Sequence, residues 1–222
     1  MSYADLTFSN LATIDTPQIP ILRVGPEDTE PPRRAVEALN DGQVIIYPTD
    51  TLYALSCRID RAQAVRRVFA IKRRPTSEPL PVLLADPSDL DAYAEDLTAA
   101  ARRLAARFWP GALTLVVRRS SRMPGLITAG GPTVGLRVPD HPLARALIRA
   151  AGVPLVGTSA NSHGRPDPRT AQQAIVDIGN QVAVIIDGGR TRAGMPSTVV
   201  DATADPVRVV RAGAIPTGAV LA

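Results

Sequence analysis

Apolar and polar positions alternate along this chain in short blocks of two kinds. Runs of four to six β-branched or leucine residues read as buried strands: Gln43 to Tyr47, Pro81 to Ala85, Leu113 to Arg118, Val134 to Val138, Val153 to Gly157 and Val182 to Asp187. Two more, Thr198 to Asp201 and Val207 to Arg211, close the pattern. Between them, apolar residues at helical spacing predict helices over Arg33 to Asn40, Ala62 to Ile71, Ser88 to Glu95, Thr98 to Phe108, Leu143 to Ala151 and Thr170 to Ile178. Helices alternate with strands, and no Pro/Ser-rich linker divides them, which argues for a single α/β domain. Some consecutive strands have no helix between them, so the expected sheet is twisted and mixed, with flanking helices. Pro17, Pro20, Pro26 and Pro31 interrupt every candidate helix before residue 32. Residues 1–31 therefore read as an irregular arm, 32–215 as the domain and 216–222 as a tail.

Composition narrows the classes. At 222 residues the chain is long enough for a substantial core. No apolar run approaches the roughly 20 residues that span a bilayer, and the first residues lack the pattern of a secretory signal. A soluble, cytoplasmic protein is expected. Cys57 is alone, which excludes an intramolecular disulfide and a Cys-rich zinc site. Only His141 and His163 are available for histidine chemistry. Net charge is +4, and the basic residues are almost all arginine: Lys72 is the single lysine beside 24 arginines. Between Asp60 and Glu78 there is no acid, while Arg61, Arg66, Arg67, Lys72, Arg73 and Arg74 all occur. Such a stretch attracts phosphate, on a nucleotide or on RNA, although a solvated helix face is the more ordinary reading of such a run.

The chain contains neither a GxxxxGK[ST] phosphate loop nor a GxGxxG after the first strand. A Ser159/His163/Asp167 triad can be written on paper, but no GxSxG elbow supports it. More informative are the polar loops that follow apolar strands, where α/β proteins build their sites. They are Tyr47 to Tyr53 with Thr49-Asp50-Thr51, Lys72-Arg73-Arg74-Pro75, Phe108 to Gly111, Thr158-Ser159-Ala160-Asn161, Ser197 to Asp201, and Arg211 to Ile215. Taken singly, each has an ordinary reading as a turn or a packed helix end.

In this order, over about residues 32 to 215, the loops resemble the YrdC-type threonylcarbamoyl-AMP synthases. The Lys-x-Arg pair Lys72/Arg74 and the Ser-x-Asn pair Ser159/Asn161 carry the likeness. The resemblance implies a YrdC-like fold and a nucleotidyltransferase that joins L-threonine, bicarbonate and ATP, with Mg2+ accompanying the triphosphate and pyrophosphate leaving. It assigns catalytic roles to Lys72, Arg74, Ser159 and Asn161. It places Thr51, Arg137, Gly157 and Ser197 on threonine, and Arg74, Thr133, Ser159, Asp167 and Arg211 on ATP. It further implies a downstream tRNA threonylcarbamoyl transferase as consumer, with tRNA as a possible direct contact. Four departures from the family pattern stand out: Ala54 for glycine, Glu78 for asparagine, Leu83 for a polar or basic residue, and Ser162-His163-Gly164 after the Ser-Ala-Asn run. Two alternatives stay open. One is a non-catalytic double-stranded RNA or tRNA-binding protein using Arg66, Arg67, Arg73 and Arg74. The other is a carbamoyl-transfer module of hydrogenase-maturation type.

Overall fold

A computed structural model describes residues 19–25 and 28–222. The expected mixed sheet is present but divides in two. The first sheet has five strands in the order β1-β9-β2-β3-β8: β1 (Ile21–Arg23), β9 (Val184–Asp187), β2 (Ile45–Pro48), β3 (Tyr53–Ser56) and β8 (Thr158–Ser159). The second has six, in the order β11-β10-β5-β6-β4-β7: β11 (Arg208–Arg211), β10 (Thr198–Asp201), β5 (Leu113–Arg118), β6 (Thr133–Arg137), β4 (Val82–Leu83) and β7 (Leu155–Val156). Parallel and antiparallel pairings occur in both.

Seven helices are described: α1 (Arg33–Asn40), α2 (Ala62–Lys72), α3 (Leu90–Tyr93), α4 (Ala99–Phe108), α5 (Pro142–Ala151), α6 (Ala171–Ile178) and α7 (Thr217–Leu221). Their ends follow from local chemistry. Thr98 and Thr170 cap α4 and α6 by accepting the backbone N–H of Ala101 and Gln173. Proline begins α5, and Gly152, in the left-handed conformation at φ 69°, ends it. One large apolar cluster joins both sheets through Ile46, Leu55, Leu115, Leu136 and Val200. A second, smaller one lies under α1 and α5 and includes Leu39, Tyr47, Leu83, Leu143 and Leu155.

Several expectations need correction. Order begins before Pro32, because Ile21–Arg23 pairs in parallel with Ile185–Asp187 and so extends the first sheet. The rest of the expected arm, residues 1–18 with Pro26 and Glu27, lies outside the described residues. The tail contains helix α7, which buries Val220. The helix expected over Ser88 to Glu95 is a 3-10 turn at Pro87–Asp89 followed by one turn of α-helix. Strand β3 has no counterpart among the expected strands: Tyr53-Ala54-Leu55-Ser56 follows the turn at once and is buried throughout, leaving no alternation to detect.

Leu115 is fully buried where β5 is flanked by β6 and β10. Leu115→Ala is expected to cost about 2–5 kcal/mol. The exposed Val176→Ala should stay within about 0.5 kcal/mol. Urea unfolding of the two variants measures the contrast.

Candidate active site

The two sheets and their loops enclose a cleft of about 470 Å³, a volume suited to a small-molecule ligand. Strand alternation builds its floor: Thr114 and Val116 on β5, Gly135 and Arg137 on β6, and Ser197 and Val199 at β10 all line it at spacings of two. Gly135 lacks a side chain where a Cβ would lie 3.3 Å from the Thr114 methyl.

At one end stands Arg137, 6% exposed. Its Nε donates to the Gly111 carbonyl at 2.9 Å, its Nη1 to Thr51 Oγ1 at 2.7 Å, and its Nη2 to Asp50 Oδ1. Asp50 is itself 4% exposed, so the pair is a buried ion pair. Burial draws the Arg137 pKa below the usual arginine value, and Asp50 opposes that pull. Thr51 is held in turn by Thr49, whose hydroxyl lies 3.0 Å away and donates to the Leu52 carbonyl. A guanidinium has five N–H groups. Two of Arg137's therefore have no acceptor among the described residues, in a side chain that lines the cleft.

The Lys-x-Arg pair arises at the end of α2. Arg73 takes the left-handed conformation, φ 52°, and Arg74 N–H returns to the Phe69 carbonyl. That reversal exposes Arg73 and leaves Lys72 and Arg74 on the cleft. Lys72, 3% exposed, donates to the Ser159 carbonyl at 2.7 Å, the Asn161 carbonyl at 2.7 Å and Asn161 Oδ1 at 3.0 Å. All three ammonium hydrogens thus hold the loop that carries Ser159 and Asn161. Burial, aided by the nearby charge of Arg74, lowers the Lys72 pKa to about 8, with Asp167 and Asp177 acting the other way. Ser159 Oγ donates to Asn161 Oδ1 at 2.7 Å, and Asn161 Nδ2 donates to the Arg165 carbonyl at 2.7 Å and to Asp167 Oδ1 at 3.3 Å.

Arg74 donates to the Pro79 carbonyl at 3.0 Å and pairs with Glu78 at 3.3 Å. Glu78 is therefore neutralised by an arginine, and it does not line the cleft. The Nε of Arg74 is buried and has no partner among the described residues. Arg211 donates to the Ser197 carbonyl at 2.8 Å and to Ser197 Oγ at 3.2 Å, while Ser197 Oγ shares a 2.8 Å hydrogen bond with Thr114. Burial lowers the Arg211 pKa from its ordinary value.

Of the residues assigned from sequence, Lys72, Arg74, Ser159, Asn161, Thr51, Arg137, Gly157, Ser197, Asp167 and Arg211 all line this one cleft. Thr133 is not among the lining residues; it opens β6 on the same face as Gly135 and Arg137, at the far end of the strand from Arg137. The Gly157 N–H is taken by the Pro81 carbonyl, so that amide is not offered to a ligand. Sequence reasoning missed Asp50, read only as a turn former, and Thr114, although a lone polar residue within Leu-Thr-Leu-Val-Val was a usable signal. It also missed Arg165, a further cation on the lining. Asp167 is the one carboxylate on that lining, against Lys72, Arg74, Arg137, Arg165 and Arg211. The cleft is built for anions.

A mixed α/β domain with a cationic cleft between two sheets is the class that the geometry defines. The model of the Sua5/YciO/YrdC family, described as "Telomere recombination", matches residues 37–213, and the chain belongs to that family. It is 39% identical over 184 residues to a threonylcarbamoyl-AMP synthase of Pyrococcus abyssi, covering 83% of this chain and 54% of that one. A threonylcarbamoyl-AMP synthase of Vibrio vulnificus is 37% identical over 172 residues, covering 77% and 92%. Among solved structures, P. abyssi Sua5 complexed with L-threonine superposes with a TM-score of 0.84 at 36% identity, covering 90% of this chain and 59% of that one. E. coli YciO gives 0.78 at 31%, covering 88% and 96%. The chain spans about half the length of the P. abyssi and Bacillus subtilis synthases it matches.

Breaking a buried ion pair leaves an uncompensated charge and costs about 3–5 kcal/mol. Asp50→Ala is expected to lose that much, whereas Arg33→Ala, which removes an exposed pair with Glu37, should lose under about 0.5 kcal/mol. Denaturant midpoints check the difference.

Proposed function

We propose that this chain forms L-threonylcarbamoyl-AMP and pyrophosphate from L-threonine, bicarbonate and ATP. The observation that carries the proposal is Arg137: a buried guanidinium, fixed by Asp50, Thr51 and Gly111, with two free N–H groups on a cleft it shares with Arg74, Arg211 and the Lys72-held loop. A planar fork of this kind matches a carboxylate, here that of threonine. The threonine nitrogen takes up the CO2 equivalent to give a carbamate. A carbamate oxygen then bonds to the α-phosphorus as the bond to pyrophosphate breaks. Both reactants are anions, so the protein's contribution is position and fixed positive charge. Arg74, with its unpartnered Nε, and Arg211 suit the phosphates.

Mg2+ enters this scheme as part of the MgATP substrate. Among the described residues, no group of three or more His, Cys, Asp or Glu is placed to hold a metal. The product is a mixed anhydride, prone to hydrolysis, so a transferase that passes the carbamoyl group to a tRNA adenosine is the implied consumer. Direct contact with tRNA belongs to the same proposal. No helix among the described residues is long and apolar enough to cross a membrane, and a cytoplasmic site of action follows from the substrates.

Pyrophosphate release is expected only when ATP, L-threonine and bicarbonate are all present. ATP consumption indifferent to threonine overturns the reading. In the same assay Lys72→Arg should lose at least about 100-fold, because a planar guanidinium cannot place three donors where the ammonium places its own.

The Lys72 pKa of about 8 gives the sign of a pH effect. Below that value the ammonium is charged and fully bonded; above it one donor and the charge are lost. ATP affinity, measured by calorimetry without threonine, should fall up to about eightfold from pH 7.5 to 9. In Lys72→Met it should be weaker and flat over the same range.

A further inference from the structure

A second cavity, of about 220 Å³, lies outside the cleft and shares none of its lining residues. Three segments build it. Asp86 starts a capping box ahead of the 3-10 turn: its side chain accepts the Ser88 N–H, and Asp89 Oδ2 accepts the Asp86 N–H at 3.0 Å. One turn further on, α3 supplies the Tyr93 ring. Helix α5 contributes Ile148 and Arg149 from its last turn, and Val153 and Pro154 follow the left-handed Gly152. Ala85, Ile148 and Pro154 are buried, so much of the wall is carbon. Its charged groups are not matched to one another. Arg149 and Asp89 both line the cavity and both reach Asp86, yet no ion pair links them among the described residues. Arg149 meets Asp86 Oδ2 only at 3.4 Å, a weak contact, because Arg145 already holds that oxygen at 2.9 Å. Asp89 uses one carboxylate oxygen on the Asp86 amide and has the other to offer. Burial and then the charge of Asp89 raise the Tyr93 pKa, which keeps the phenol a donor.

We propose that this cavity is a second small-molecule site, separate from the cleft, that takes an aliphatic α-amino acid of valine to leucine size. The ligand's carboxylate lies on Arg149, its ammonium on Asp89, and its side chain against Ile148, Val153 and Pro154. An unpaired cation and an unpaired carboxylate on one small apolar cavity complement a zwitterion. A simple anion would meet Asp89 and a simple amine would meet Arg149, so each is disfavoured. Volume sets the size: about 220 Å³ is the space of about seven waters in the liquid, enough for valine, leucine or isoleucine and too little for a nucleotide. The carbon wall sets the class. Threonine has the shape of valine but would bury its hydroxyl against that wall, so this cavity prefers the amino acid without the hydroxyl.

Calorimetry on the full chain, with ATP and L-threonine present at saturation to occupy the cleft, titrates L-valine, L-leucine and L-isoleucine. Saturable binding of one equivalent is expected. Titrated alone under cleft-saturating ATP, L-threonine should show no second site within about tenfold of the valine affinity. The compounds 4-methylpentanoate and 3-methylbutylamine lack leucine's ammonium and carboxylate in turn, and each should bind about tenfold or more weakly than leucine. Arg149 is half exposed, so Arg149→Ala should fold normally and weaken leucine about tenfold or more. Val153→Trp fills the cavity and should abolish leucine binding, while ATP affinity in the cleft stays unchanged in both variants. No saturable heat with any of the three amino acids overturns the proposal. So does displacement of leucine by ATP and threonine, which would place it in the cleft, or an unchanged leucine affinity in Arg149→Ala or Val153→Trp.

Discussion

The cleft depends on one buried ion pair. Asp50 follows a strand of the first sheet and Arg137 ends a strand of the second, so the Asp50–Arg137 contact ties the two sheets together at one end of the site. Neither charge is tolerable alone in that setting. Burial lowers the pKa of Arg137, and the carboxylate beside it opposes the effect. The geometry is completed by acceptors that leave the guanidinium no rotational freedom: the Gly111 carbonyl on Nε and the Thr51 hydroxyl on Nη1. A pair of this kind is a poor source of net stability. Its value is that a cation is held at a fixed place and angle before any ligand arrives, so no reorganisation is needed when one does.

Lys72 does a related job by different means. Its ammonium is a hub for three acceptors, two of them backbone carbonyls. Carbonyl groups converging on one point repel each other, and a compact cation with three donors resolves that repulsion. The consequence is a loop in which Ser159 and Asn161 are already oriented. This also gives the lone lysine a physical meaning. Twenty-four arginines occupy the other basic positions of this chain, yet the three acceptors around Lys72 converge on one point, which suits a compact ammonium and not a planar fork.

Much of this was legible in the residue order. Apolar blocks located eight of the eleven described strands closely enough to set the polar loops after them, because strands buried on one or both faces leave contiguous apolar signatures. Strand β3 escaped because it has no turn signal between itself and the preceding loop and no polar face. The division into two sheets was not visible either, since partner choice between strands is settled by packing and not by composition. At the site, four of the five cations on the lining were readable; Arg165 was not, nor was the carboxylate that positions Arg137. Asp50 sits in a Pro-Thr-Asp-Thr turn, where an aspartate is ordinary, and only the arrival of Arg137 from 87 positions away makes it a counter-ion. Thr133 shares a face of β6 with Gly135 and Arg137, but it opens the strand and stands outside the lining.

Charge and shape divide the cleft between them. Five cations line it against a single carboxylate, which favours anionic ligands. The apolar part of the lining comes from the core side: Leu83 and Ala54 belong to the smaller apolar cluster, and Leu83 fills the space that a side chain at Gly157 would take. Close-packed walls of this kind yield little, so the outline of the cleft is set by packing while its sign is set by the polar loops. Shape and charge are thereby decided by different parts of the chain.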